Sequence, residues 1–151
     1  MPIFANQSRE KLRQMYLASW RKFRAQEPLE PLERQVAAVI AEHPEYVPWL
    51  ESGEDVLAAE FTPEGGRQNP FLHMGMHLAL REQLTTNRPP GFADLHRRLC
   101  EHFGAAHEAE HALLEPLAET LWEAQRAGRT PDEAQYLRKV EALVARLLTR
   151  R

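Results

Sequence analysis

Apolar side chains recur along most of this chain at intervals of three and four residues, and almost nowhere at intervals of two. Residues three and four apart share one face of an α-helix, whereas a half-buried strand needs strict alternation. The pattern therefore points to helices. Leu12, Met15, Tyr16, Ser19 and Phe23 predict a helix over residues 8–24, with Arg9, Lys11, Arg13, Arg21, Lys22 and Arg24 on its other face. Pro28 and Pro31 end it, and Pro31 suits the first turn of a second helix, where its missing N–H costs nothing. Leu32, Val36, Val39, Ile40 and His43 form the inner stripe of that helix, and Pro44 stops it. Proline and glycine then break the pattern. Val56 to Phe61 reads as a short helix, the rest of 45–69 as irregular, and Thr62 to Asn69 as a mobile loop.

Asn69 can cap a helix with Pro70 at its first position. The run Phe71 to Leu80 is apolar almost all round, as in a helix with neighbours on several sides. Gly75 inside it is explained by close approach of another helix, and the helix ends near Thr85. A short helix over 92–103 turns Phe92, Leu95, Leu99 and Phe103 inward, with Gly104 as its C-cap. The next runs from about Ala105 to Ala127, with His107, His111, Leu114, Ala118, Leu121, Trp122 and Gln125 inward and Gly128 beyond its end. Pro116 lies inside it and is expected to kink or split it. Thr130-Pro131-Asp132-Glu133 reads as a capping box that opens a last helix, with Leu137, Val140, Val144, Leu147 and Leu148 inward. The expected architecture is all-α: a single helical domain over residues 1–151, of about six helices around a four-helix core.

A chain of 151 residues can bury roughly two-thirds of its unfolded surface without staples. One cysteine excludes a disulfide framework and a multi-Cys metal site. A net charge of -3 argues against a nucleic-acid partner, so the basic face of the first helix reads as solvated. Trp20, with Tyr46, Trp49 and Trp122, reads instead as a candidate hydrophobic contact surface. No apolar run approaches the ~18 residues that cross a bilayer. The N-terminus lacks a signal peptide's apolar stretch, and the expected location is the cytoplasm.

The chemical clue is histidine, present seven times. Two pairs share one spacing, His73-x3-His77 and His107-x3-His111, which stacks two imidazoles on one helix face and lets them grip one metal ion. Both pairs lie on stripes expected to face inward, where a polar ring needs a partner and a shared metal supplies one. Glu115 extends the second pair by a turn, and Glu108 with His111 has the Glu-x-x-His spacing of carboxylate-bridged metal bundles. The candidate ligands are thus His73, His77, His107, His111, Glu115 and Glu108. Such a mixed set suits a divalent metal: iron, zinc or manganese. The plain alternative is that these rings bond to backbone carbonyls or carboxylates. Glu-x-x-His occurs once only, and Pro70 stands where a partner for His73 would sit, so the pattern departs from a di-iron bundle. His96 and His102 read as rim residues. Cys100 reads as an inert buried thiol, although a nearby histidine could lower its pKa.

The run from Asn69 to Gln83, NPFLHMGMHLALREQ, resembles the hallmark of a proteobacterial family known as domain of unknown function 1841. Pro28–Glu33, Glu42–Tyr46, His107–His111 and Leu121–Gln125 are similar to it as well, so the resemblance spans about residues 8–143. It implies a bacterial, cytoplasmic, single-domain protein, and it brings no activity and no catalytic residues. Pro116 departs from the family's pattern beside Glu115. Two functions follow from the residues. One is a metal-binding helical bundle with hydrolytic or redox chemistry. The other is a non-enzymatic interaction module, a homodimer whose histidines are structural.

Overall fold

Helix is the only regular structure among the described residues of the computed structural model, as the periodicity predicts. The structure describes the backbone of residues 5–52, 56 and 69–149, with side chains from residue 10 onward. In chain order the elements are α1 (Ala5–Arg24), α2 (Pro31–Ala41), a 3-10 turn (Pro44–Tyr46), α3 (Val47–Leu50), α4 (Pro70–Thr86), α5 (Phe92–Phe103), α6 (Ala106–Ala127) and α7 (Glu133–Thr149). The 3-10 turn and α3 fall where an irregular segment was expected; Pro44 and Pro48 sit near the start of each, where proline's missing N–H is harmless. Of the short helix expected over 56–61, Val56 alone is described, and it is helical and buried. The loop expected over 62–69 lies outside the described residues except for Asn69. None of the described helices is long and apolar enough to cross a membrane. The chain divides into two compact units, residues 1–78 and 79–151, with the division inside α4.

In the first unit α1 packs on α2, around Tyr16, Trp20, Val36, Val39, Ile40, Leu50, Val56, Phe71 and Met74. The buried face of α1 is rotated from the expected one. Arg13, Tyr16, Ser19 and Trp20 are buried, while Leu12 and Phe23 are 48% and 45% exposed. Polar partners make the rotation tolerable. The Arg13 guanidinium donates to the Val56 carbonyl at 3.3 Å and lies 4.8 Å from the centre of the Phe71 ring. The Trp20 indole N–H donates to Glu51 at 3.0 Å, so Trp20 is a core residue and not part of a contact surface. Of the remaining basic residues, Lys22 pairs with Glu33 at 2.8 Å and Arg24 with Glu51 at 3.3 Å.

Asn69 caps α4 as its sequence predicts, its side-chain oxygen accepting from the amides of Phe71 (2.9 Å) and Leu72 (3.3 Å). Leu72 departs from the all-round burial expected of this helix: it is 56% exposed, whereas Phe71, Met74, Met76 and Leu80 are buried. No described residue crowds Gly75. Among the described residues a β-carbon there would meet the Tyr16 hydroxyl at 3.8 Å, an ordinary contact.

In the second unit α5, α6 and α7 pack on one another in pairs. The face that α6 buries is Ala109, Leu113, Pro116, Leu117, Thr120 and Ala124, not the expected stripe through Leu114 and Trp122. Leu121 and Trp122 are exposed, and the Arg126 guanidinium lies 4.6 Å from the centre of the Trp122 ring. Small residues on the buried face let neighbouring backbones come close. Pro116 does not split α6, which runs unbroken through it, and the Thr120 hydroxyl donates to the Pro116 carbonyl at 2.8 Å. At its end Gly128 takes φ +66° and the Arg129 amide reaches back to the Ala124 carbonyl at 3.0 Å, a Schellman closure. The cap of α7 is Asp132 rather than Thr130, since its carboxylate accepts the Gln135 amide at 3.0 Å. The Arg81 guanidinium grips Glu110 with two bonds of 3.2 and 3.1 Å, and the Tyr136 hydroxyl donates to Gln83 at 2.6 Å.

Candidate metal centre

α4 carries His73 and His77 one turn apart on the same face. His77 is fully buried and His73 half-buried. Their Nε2 atoms face each other at 3.1 Å. Two imidazoles on one metal at ~2.0–2.1 Å place their nitrogens about 2.8–3.4 Å apart, from octahedral to tetrahedral angles. The observed separation falls in that interval.

The third ring comes from the segment that ends α2. Pro44 cannot continue the helix, and the His43 amide closes it on the Ile40 carbonyl at 2.9 Å. The same turn lets His43 Nδ1 donate to the Val39 carbonyl at 2.8 Å. That bond sets the tautomer: a neutral ring that donates from Nδ1 carries its lone pair on Nε2. The ring is 3% exposed. Its centroid lies 5.0 Å from that of His73 and 4.7 Å from that of His77, and His73 and His77 are themselves 4.7 Å apart. One ring nitrogen from each of the three lies within 4.8 Å of the others. Tyr46 stacks on His43 at 5.4 Å with planes 3° apart and meets His73 edge-on at 6.2 Å. Burial, with help from Glu45, pushes the Tyr46 hydroxyl above its ordinary pKa.

Three imidazoles converging on one spot, one of them oriented by a backbone carbonyl, are what a divalent metal of intermediate softness requires. His43 belongs to this group although spacing did not select it. It continues the inner stripe of α2 beyond that helix's end but has no histidine three or four residues away, and only the fold, which sets its ring beside those of α4's first turns, brings it in.

The other candidates lie in the second unit. His107 and His111 are ring neighbours at 4.4 Å on α6, but on its exposed face and not inward as expected, because α6 buries the adjacent stripe. Glu108 and Glu115 are exposed with them, and Glu115 stands 3.9 Å from Arg146. Glu110 on this helix is half-buried and engaged by Arg81. His102 is exposed and His96 half-buried, in accord with their reading as rim residues. Burial pushes the His96 pKa down, with Glu110 opposing in part. Cys100 Sγ lies 3.6 Å from His96 Nδ1, yet its pKa is raised, by burial first and then by Glu101 and Glu110. The thiol is half-buried and not activated by its histidine.

A family model described as a domain of unknown function, DUF1841, matches residues 8–142. No curated protein and no solved structure matches the chain.

Proposed function

The chain belongs to the DUF1841 family, and we propose that it is a helical metal-binding protein that holds a divalent ion (iron, zinc or manganese) through histidine. His43, His73 and His77 are the ligands of this reading. The observation that carries it is the His43 Nδ1–H bond to the Val39 carbonyl, which fixes the tautomer of a ring packed against both imidazoles of α4. Metal-binding histidines characteristically spend their second nitrogen in this way. His107 and His111, with Glu108 and Glu115 beside them, offer another two-imidazole grip on α6. A bound metal of this kind is a Lewis acid and can lower the pKa of a bound water, which is the basis for a hydrolytic role.

Metal analysis of protein purified without an affinity tag tests the reading. We expect close to one equivalent of transition metal, lost in His43→Ala and in His77→Ala. The stoichiometry of a His107→Ala/His111→Ala variant reports what the α6 pair adds. Protein that neither retains metal nor takes it up on addition overturns the proposal.

A second reading, an interaction module that pairs with another copy, is favoured by Leu121 and Trp122, which are exposed side by side on α6. Light scattering of the parent and of Trp122→Ala separates it. A dimer that the substitution dissolves supports it, and a parent that is monomeric at high concentration removes it.

A further inference from the structure

Resting on that metal-binding reading, we infer that the centre of His43, His73 and His77 takes a late first-row ion of the zinc and nickel class through imidazole nitrogen alone, and discriminates against manganese and magnesium. The donor set carries the first part. Among the described residues no carboxylate oxygen and no thiol joins these three rings within the 4.8 Å that spans them. Magnesium and manganese are held by oxygen, whereas imidazole suits zinc, copper and nickel. A site without an oxygen donor among the described residues offers hard ions nothing there to replace their hydration.

The surroundings carry the second part. His77 is fully buried, His43 nearly so, and the Tyr46 ring covers His43 face-on and His73 edge-on. Rings as buried as these leave an ion at their nitrogens little room for water of its own. Ions that dehydrate reluctantly are penalised most, and strongly nitrogen-binding ions least. Tyr46 is thus a specificity-determining wall that touches the ligands rather than the metal. The His43–Val39 bond works in the same direction, since a ring that donates from Nδ1 is a more basic ligand at Nε2.

The test is competitive titration of the metal-stripped full chain with zinc, nickel, manganese and magnesium, each as its chloride. We expect zinc to bind at least 100-fold more tightly than manganese, and magnesium not to compete. His73→Asp, which puts one carboxylate into the set, should narrow the zinc-to-manganese ratio at least tenfold. Tyr46→Ala should narrow it by admitting water, while Tyr46→Phe, which keeps the ring and guards against a folding defect, should leave it unchanged. Comparable affinities for zinc and manganese in the parent overturn the inference and leave the metal-binding reading standing. A ratio that neither His73→Asp nor Tyr46→Ala moves also overturns it, because the discrimination then does not come from these groups. Failure of every ion to bind overturns the underlying reading instead.

Discussion

His77 and His96 carry the same ring in opposite circumstances. His77 is fully buried with its Nε2 against His73, whereas His96 is half-buried at a rim and touches a thiol. Removing a buried hydrogen-bonded group leaves its partners short and opens a void, so His77→Ala should destabilise the metal-stripped protein by ~1–3 kcal/mol. His96→Ala should stay below ~1 kcal/mol. Denaturant midpoints of the two variants measure the difference, and equal midpoints would contradict the burial argument. The same residues shape the pH dependence. Burial depresses the His96 pKa, so the neutral ring is the one the fold favours. Its contribution is complete above the ordinary histidine value of about 6.5 and is lost as pH falls through the lower folded value. Burial raises Tyr16 to about 12, so its contribution is complete below the ordinary tyrosine value of about 10 and is lost as pH climbs between the two. Unfolding free energy should therefore sag at both ends. His96→Asn should flatten the acid limb, Tyr16→Phe should flatten the alkaline one, and a limb that its own variant leaves unchanged has another source.

Helices are set by their ends and by one interior choice. Asp132 accepts the Gln135 amide at 3.0 Å, so Asp132→Ala should cost about 1 kcal/mol, while Thr130→Ala, outside α7, should cost nearly nothing. The reverse order would restore Thr130 as the cap. Gly75 is helical, and the nearest described group to its missing β-carbon is a hydroxyl oxygen at 3.8 Å. Gly75→Ala should therefore stabilise α4 by ~0.5–1 kcal/mol through lower backbone entropy of the unfolded chain. Thermal melts of the metal-stripped variant test this, and a lowered melting temperature would mean that the helix needs the space. These ends were legible in sequence because capping and proline chemistry are local: Asn69 with Pro70, and Gly104 and Gly128, act within a few residues of themselves. The inward face of each helix was less legible. In α6 the stripe through half-buried Leu114 and exposed Leu121 and Trp122 is as apolar as the buried one through Leu113, Leu117 and Ala124, and periodicity alone does not rank two adjacent stripes.

Over the whole molecule, metal binding becomes a stability term, because an ion that binds only the folded protein stabilises it by mass action. Zinc at 100 times its dissociation constant adds ~2.7 kcal/mol. For a chain of this size that is a rise of roughly 5–10 °C in melting temperature, reversed by a chelator. Hydrogen exchange should slow most around His43 and through the first turns of α4. A melting temperature that zinc leaves unmoved would place any bound metal on the unfolded chain as well. By itself the sequence determined the helical class, most helix boundaries, the His73–His77 pair and the family, because all of these rest on spacing and on chemistry between near neighbours. The tertiary structure decided which stripes go inside. It buried Arg13 and Trp20 in place of Leu12 and Phe23, turned His107 and His111 outward, and brought His43 to α4. Burial is settled by what a face meets, and a metal ligand by where its nitrogen points; both depend on residues far apart in the chain, which periodicity does not connect.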